Sequence, residues 1–146
     1  MKNGELQDLH TSITECLKAS NEKKFGYALI RNIDKIESKL KEFSSLTKDF
    51  EKERLELAEK HALKDADGNP IMSYSNGLQF FRLGKNQSKY NEELKPLREN
   101  HNMQGFDDLM DEECDIEFYT IKEDLIPEDL NNDLVRRIKE LIIWNE

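Results

Sequence analysis

The chain has 146 residues, of which 36% are charged and 36% hydrophobic, and its formal net charge at pH 7 is −9. That length fits one domain, so we predict a single domain over residues 1–146. The negative charge argues against direct nucleic-acid binding, which needs lysine and arginine to displace phosphate counterions. Apolar runs stay well short of the ~18 residues of a membrane span and no signal peptide is recognisable, so we expect a cytoplasmic protein.

Two helices are predicted first in the chain. A short amphipathic helix covers Glu5 to about Ala19, and a longer one ends near His61 or Leu63. Apolar residues of the longer helix recur in steps of four and three over about 45 Å. These seam residues are Leu29, Ile33, Ile36, Leu40, Phe43, Phe50 and Leu57, with Thr47 and Arg54 breaking the repeat. We expect the two helices to pack antiparallel as a helical hairpin.

The apolar seam must be covered by another helix, either from this chain or from a partner chain. Two breaks in the repeat and the presence of other amphipathic helices favour coverage within the chain. The alternative is a homo-oligomer that associates through the helix Leu29–Leu57.

A turn and a β-hairpin are predicted next. Asp65–Pro70 ends the long helix, because glycine and asparagine suit left-handed backbone positions and proline cannot continue a helix. Residues 71–83 alternate around Asn76–Gly77, a pair that favours a type I′ turn. This register places Met72 opposite Phe81 and Ser73 opposite Phe80, with one covered and one partly exposed face.

The next segments are predicted from weaker patterns. Residues 85–105 suggest a short helix, a kink at Pro96 and a loop over 100–105. A helical turn follows at Phe106–Met110. Cys114–Ile121 alternates as a strand, with Cys114, Ile116 and Phe118 facing inward.

A C-terminal helix is predicted from Pro127, a residue that suits the first helical turn. Apolar residues then follow at helical spacing, namely Leu130, Leu134, Ile138, Leu141 and Ile142, and Trp144 lies near the end. Together these elements predict an α+β fold with a long helical hairpin, a small antiparallel sheet and a C-terminal helix.

The candidate functional residues form one acidic cluster. Residues 99–146 carry 4 basic and 15 acidic side chains, a net of −11, whereas residues 1–98 carry 18 and 16, a net of +2. The cluster comprises Asp107, Asp108, Asp111, Glu112, Glu113, Asp115 and Glu117. We interpret it as a partner-binding surface, a metal site or a solvated face.

Catalytic motifs are not recognisable in the sequence. His10, His61 and His101 lie in separate segments, and Cys16 and Cys114 match no metal or redox spacing, which predicts free thiols. We therefore assign no catalytic, cofactor or metal residues and expect that the protein is not an enzyme.

Three segments resemble a family of uncharacterised phage and prophage proteins of about this length. They are the opening Lys2–Leu6, the Asp-x-x-Gly-x-Pro turn at Asp65–Pro70, and Phe106–Glu113 followed by Asp115–Glu117. The resemblance implies a phage-related origin and carries over no activity and no catalytic residue.

The leading hypothesis is a non-enzymatic phage protein that binds another protein in the host cytoplasm. Its acidic residues would inhibit a host defence factor or a nucleic-acid-processing factor by occupying the place of nucleic acid. The alternatives are a virion or assembly component that oligomerises through its long helix, and a metal-dependent enzyme that uses the acidic cluster.

Overall fold

The computed structural model describes residues 1–75 and 77–144. Its helices are α1 (Leu6–Ala19), α2 (Lys23–His61), α3 (Gln87–Asn100), α4 (Met103–Asp111) and α5 (Asn132–Arg137). Its strands are β1 (Met72–Ser75), β2 (Leu78–Phe81), β3 (Ile121–Lys122) and β4 (Ile142–Ile143). β1 and β2 form an antiparallel hairpin, and β3 pairs with β4 in parallel. The predicted α+β class is confirmed.

The chain divides into two compact units. The first unit comprises residues 1–45 and 108–146, and the second comprises residues 46–107. Helices α2 and α4 each contribute residues to both units. Compact packing does not by itself establish independent folding, so the organisation as a single domain stays a prediction.

The predicted helical hairpin lies in the first unit. Helix α1 buries Leu6, Leu9, Ile13 and Cys16 on one face. His10 Nε2 lies 3.0 Å from Glu37 Oε1, and a Cβ on Gly26 would lie 3.7 Å from Leu17. Residues later in α1 therefore meet residues earlier in α2, which confirms the antiparallel arrangement.

The apolar seam of α2 is covered by this chain itself. Leu29 and Ile36 are fully buried, Phe43 and Phe50 are nearly so, and the other three seam residues are half-buried. Arg54, which breaks the repeat, binds Glu51 Oε2 through Nη2 at 2.9 Å and through Nε at 3.1 Å. The guanidinium thus keeps its polar partner while its stem stays in the seam.

The turn after α2 is held by one carboxylate in the second unit. Asp65 Oδ1 accepts hydrogen bonds from the backbone N–H groups of Asp67 and Asn69, both at 2.9 Å. Gly68 has φ of +81°, a backbone conformation that glycine adopts without a steric cost. The predicted tight turn is confirmed.

The β-hairpin of the second unit has the predicted register, with Met72 opposite Phe81 and Ser73 opposite Phe80. Asn76 lies outside the described residues, and Gly77 has φ of +77°, as the second position of a type I′ turn requires. The face that carries Leu78 and Phe80 is exposed, whereas Met72 and Phe81 are half-buried.

The predicted loop over residues 100–105 is wrong. Helix α3 continues through Pro96 to Asn100, and α4 already begins at Met103. Pro96 is exposed, so water can satisfy the carbonyl that its missing N–H leaves free. Asn102 makes the reversal with φ of +48°, because asparagine tolerates the left-handed region.

The predicted strand Cys114–Ile121 is also wrong, except at its last residue, which begins β3. Side-chain exposure alternates as expected, with Cys114, Ile116 and Phe118 half-buried and Asp115 exposed. Within this segment, Cys114 N donates to Met1 O at 2.8 Å, whereas Asp115, Glu117 and Tyr119 bind side chains of α2 in place of a neighbouring strand.

Asn32 is the central partner of this extended segment. Its side chain is fully buried, accepts a hydrogen bond from Tyr119 N at 2.8 Å and donates to Tyr119 O at 2.9 Å. Its Nδ2 also donates to Ala28 O at 3.2 Å. One amide therefore satisfies both backbone groups of Tyr119, as a neighbouring strand would.

The C-terminal helix is much shorter than predicted. Helix α5 starts after Asn131, whose Oδ1 accepts from Asp133 N at 2.7 Å, and it ends at Arg137. A 3₁₀ turn and β4 follow, so Trp144 lies outside the helix. The predicted apolar residues Ile138, Leu141 and Ile142 are still buried, because the pairing of β4 with β3 replaces the final helical turns.

Replacing Asn32 by alanine is expected to lower the free energy of unfolding by about 2–4 kcal/mol. The variant leaves the N–H and C=O groups of Tyr119 without a partner in a partly buried place. Urea unfolding followed by circular dichroism measures the change. Asp34→Ala, a change at an exposed position two residues further along α2, is the control and should cost less than about 0.5 kcal/mol. Equal stability of the two variants would contradict this account.

Candidate protein-interaction surface

All seven residues of the predicted acidic cluster are exposed. Asp107, Asp108 and Asp111 lie in the last turns of α4, and the other four lie in the segment that follows. Asp107 belongs to the second unit and the remaining six to the first. The first unit therefore contains six of the seven carboxylates, spread over the end of α4 and the segment after it.

In the second unit, Asp107 is engaged by an arginine. Its Oδ2 accepts from Arg98 Nη2 at 2.6 Å. A short arginine–carboxylate bond of this kind uses most of the attraction that the carboxylate could offer to an outside cation. Asp107 is therefore a weaker candidate for a partner contact than the sequence suggested.

In the first unit, three cations face the cluster. The amino group of Met1 lies 3.0 Å from Glu113 Oε2, Lys2 Nζ lies 4.0 Å from Asp111, and Lys39 Nζ lies 2.8 Å from Asp115. These partners are distant in sequence, so no local pattern pointed to them. Glu112 and Glu117 are exposed and form no ion pair within the described part of the chain.

The segment between Asp115 and Tyr119 lies along α2. Three residues of that helix hold it at every second position: Lys39 at Asp115, Lys35 at the carbonyl of Glu117, and Asn32 at Tyr119. The three contact residues on α2 are four and three positions apart, and they therefore meet every second residue of the extended segment.

Tyr119 lies between two cations of α2. The Arg31 guanidinium carbon is 3.5 Å from the ring centroid, and Lys35 Nζ is 4.2 Å from it. Hydrogen bonding to Arg31 lowers the pKa of the Tyr119 phenol. Arg31 thus helps to hold the extended segment against α2.

One cleft of the first unit was not predicted from the sequence. It has a volume of about 940 Å³ and lies between the end of α1 with the α1–α2 connection (residues 17–22) and residues 124–129. Its apolar lining is Leu17, Ala19, Leu125, Ile126 and Pro127, and its carboxylates are Glu22, Asp124, Glu128 and Asp129. The sequence feature that could have indicated this cleft is a short apolar run that ends in proline and has a pair of acidic residues on each side.

The carboxylates of this cleft differ from those of the predicted cluster. Asp124, Glu128 and Asp129 are exposed, and no ion pair of the described residues includes any of them. Lys18 is the single basic residue in the lining. The cleft therefore has a negative rim that the described part of the chain leaves uncompensated.

No group of three or more His, Cys, Asp or Glu side chains in the part of the chain that the structure describes could hold a metal ion. Each histidine instead meets a glutamate. His10 pairs with Glu37 at 3.0 Å, His61 with Glu93 at 2.5 Å, and His101 with Glu53.

The two cysteines are free thiols, as predicted. Cys16 is buried against the first unit's core, and that burial raises the pKa of its thiol to about 11. A thiol of this kind stays protonated near neutral pH and is a poor nucleophile. Cys114 is half-buried.

The pKa of Asp115 provides a test of its pairing with Lys39. Hydrogen bonding to the Lys39 ammonium lowers the pKa of the carboxyl. We expect carboxyl carbon chemical shifts to report a value below about 3.9, the ordinary value, and Lys39→Met to return it there. Because the folded pKa is the lower one, the pair stabilises the protein above the ordinary pKa and loses that effect as the pH falls through the folded value. An ordinary pKa in the unmodified protein would exclude the pair.

Neither a protein-family model, a curated protein nor a solved structure matches this chain. The resemblance to phage and prophage proteins therefore stays a prediction. Within the described residues, no helix is both long enough and apolar enough to cross a membrane.

Proposed function

We propose that this protein is a non-enzymatic interaction protein that binds a partner protein with a basic contact surface. Its phage-like segments support a phage-encoded protein that acts in the host cytoplasm. In that setting the partner is a host defence factor or a nucleic-acid-processing factor, and the acidic protein inhibits it by occupying the place of nucleic acid.

The observation that supports this proposal most is the unpaired negative charge at exposed positions of the first unit. Five exposed carboxylates form no ion pair in the described part of the chain: Glu112, Glu117, Asp124, Glu128 and Asp129. An exposed carboxylate without an ion-pair partner is available to the cations of a basic partner protein.

The same charges favour a protein partner over a nucleic acid. Phosphates would be repelled by a region with a net charge of −11 over residues 99–146. The lysines and arginines that a nucleic-acid-binding protein presents to phosphates have the opposite sign and suit these carboxylates.

A homo-oligomer is the second candidate, and one observation favours it. Leu46 and Leu55 of α2 are 66% and 47% exposed, although the seam itself is covered. Association through these leucines would make the protein a virion or assembly component. Gel filtration over a concentration series detects such an oligomer, and Leu46→Lys with Leu55→Lys should then abolish it.

The primary test begins with a tagged protein that captures its partner from host-cell lysate. We expect the captured protein to be basic and to be released as salt rises, because salt screens attractions between exposed charges. The purified pair is then studied by calorimetry with an amide variant of the five carboxylates, Glu112→Gln, Glu117→Gln, Asp124→Asn, Glu128→Gln and Asp129→Asn. Binding should weaken by about tenfold or more.

The control variant removes the same number of negative charges elsewhere. It replaces five other exposed acidic residues by amides: Asp34, Asp49, Glu56, Glu59 and Glu92. Its affinity should stay within about twofold of the unmodified protein, because these residues lie outside the proposed surface. Binding that is insensitive to salt and to the first variant would overturn the proposal.

A further inference from the structure

The cleft between the α1–α2 connection and residues 124–129 has the properties of a preformed peptide site. Leu17, Leu125, Ile126 and Pro127 are half-buried, so each presents part of an apolar side chain to the opening. The volume of about 940 Å³ is within the ~300–1,000 Å³ of ordinary ligand sites. It suits a short segment better than a whole folded surface.

The wall formed by residues 124–129 is fixed by the fold. Ile126 N donates to Glu123 O at 3.1 Å, and Leu130 N donates to Pro127 O at 3.1 Å, which makes two successive turns. Leu130 and Ile121, on either side of the wall, are buried in the core of the first unit. A site that is already ordered binds without the cost of ordering a loop.

The charge of the cleft selects its occupant. Four carboxylates and one ammonium line it, Glu22, Asp124, Glu128 and Asp129 against Lys18, which leaves a net charge of −3. Concave surfaces of one sign concentrate the electrostatic potential and attract ligands of the opposite sign. A lining that combines apolar side chains with an excess of carboxylates is complementary to a segment that has both an apolar side chain and basic neighbours.

We propose that this cleft binds a short lysine- or arginine-bearing segment of the partner protein, whose apolar side chain rests on Leu17 and Ile126. This inference rests on the proposed function and identifies the place and the chemistry of the contact. The basic side chains of the segment meet Asp124, Glu128 and Asp129, the three rim carboxylates that no cation of the described residues neutralises.

The experiment uses the full chain labelled with ¹⁵N and a short, end-blocked peptide of alternating lysine and leucine as the probe. Amide chemical shifts should move at residues 17–22, 124–126 and 128–129, and a matched peptide of alternating glutamate and leucine should move none of them. Replacing the leucines of the probe by serine should weaken binding by about fivefold or more, because the probe then loses its contact with the apolar side chains of the lining.

Two variants that remove equal charge separate the cleft from the cluster predicted from the sequence. Asp124→Asn with Glu128→Gln and Asp129→Asn should weaken peptide binding by about tenfold. Asp111→Asn with Glu112→Gln and Glu117→Gln should change it by less than about twofold. The amide spectrum of each variant verifies that it folds.

Shifts that map outside the cleft, or equal weakening by both variants, would overturn this inference. The proposed function would survive that outcome, since it requires only salt-dependent binding of a basic partner by the acidic surface. Salt-insensitive partner binding in the capture experiment would overturn the proposed function, even if the peptide occupied the cleft.

Discussion

The structure of the first unit depends on the way one buried amide holds an extended chain. A helix has no backbone hydrogen bonds to offer on its side, so a segment that packs there loses those of a β-ladder. Asn32 replaces them for Tyr119, and Lys35 and Lys39 continue the same contact along α2. This alignment directs the chain toward Ile121, where β3 begins and pairs with β4.

The distribution of negative charge follows from the same arrangement. The segment after α4 lies along a helix that carries lysines. Part of the negative charge of this segment is therefore neutralised by a cation of the same chain. The carboxylates around Pro127 lie beyond the reach of these lysines. Density of acidic residues in the sequence is thus a poor guide to free negative charge, because folding pairs some carboxylates and leaves others open to solvent.

Local patterns predicted the elements that local forces determine. The seam of α2 and the register of the hairpin follow from periodicity and from the Asn–Gly turn, so both were predictable. The conformation of Cys114–Ile121 and the short length of the C-terminal helix were not predictable from local patterns. They depend on Asn32 and on the pairing of β3 with β4, whose partner residues lie far apart in sequence. The members of the acidic cluster could be identified from the sequence. Their cation partners and the cleft could not, because both depend on tertiary structure.

One of the three histidine–glutamate contacts has a consequence for behaviour in acid. Each contact joins side chains of two different segments within one unit. In the second unit, Glu93 of α3 meets both His61 and Lys60 at the end of α2. Hydrogen bonding to His61 and Lys60 lowers the pKa of the Glu93 carboxyl, so the contact persists until the pH falls through this lowered value. Acidification below that value therefore removes the attraction that joins the end of α2 to α3.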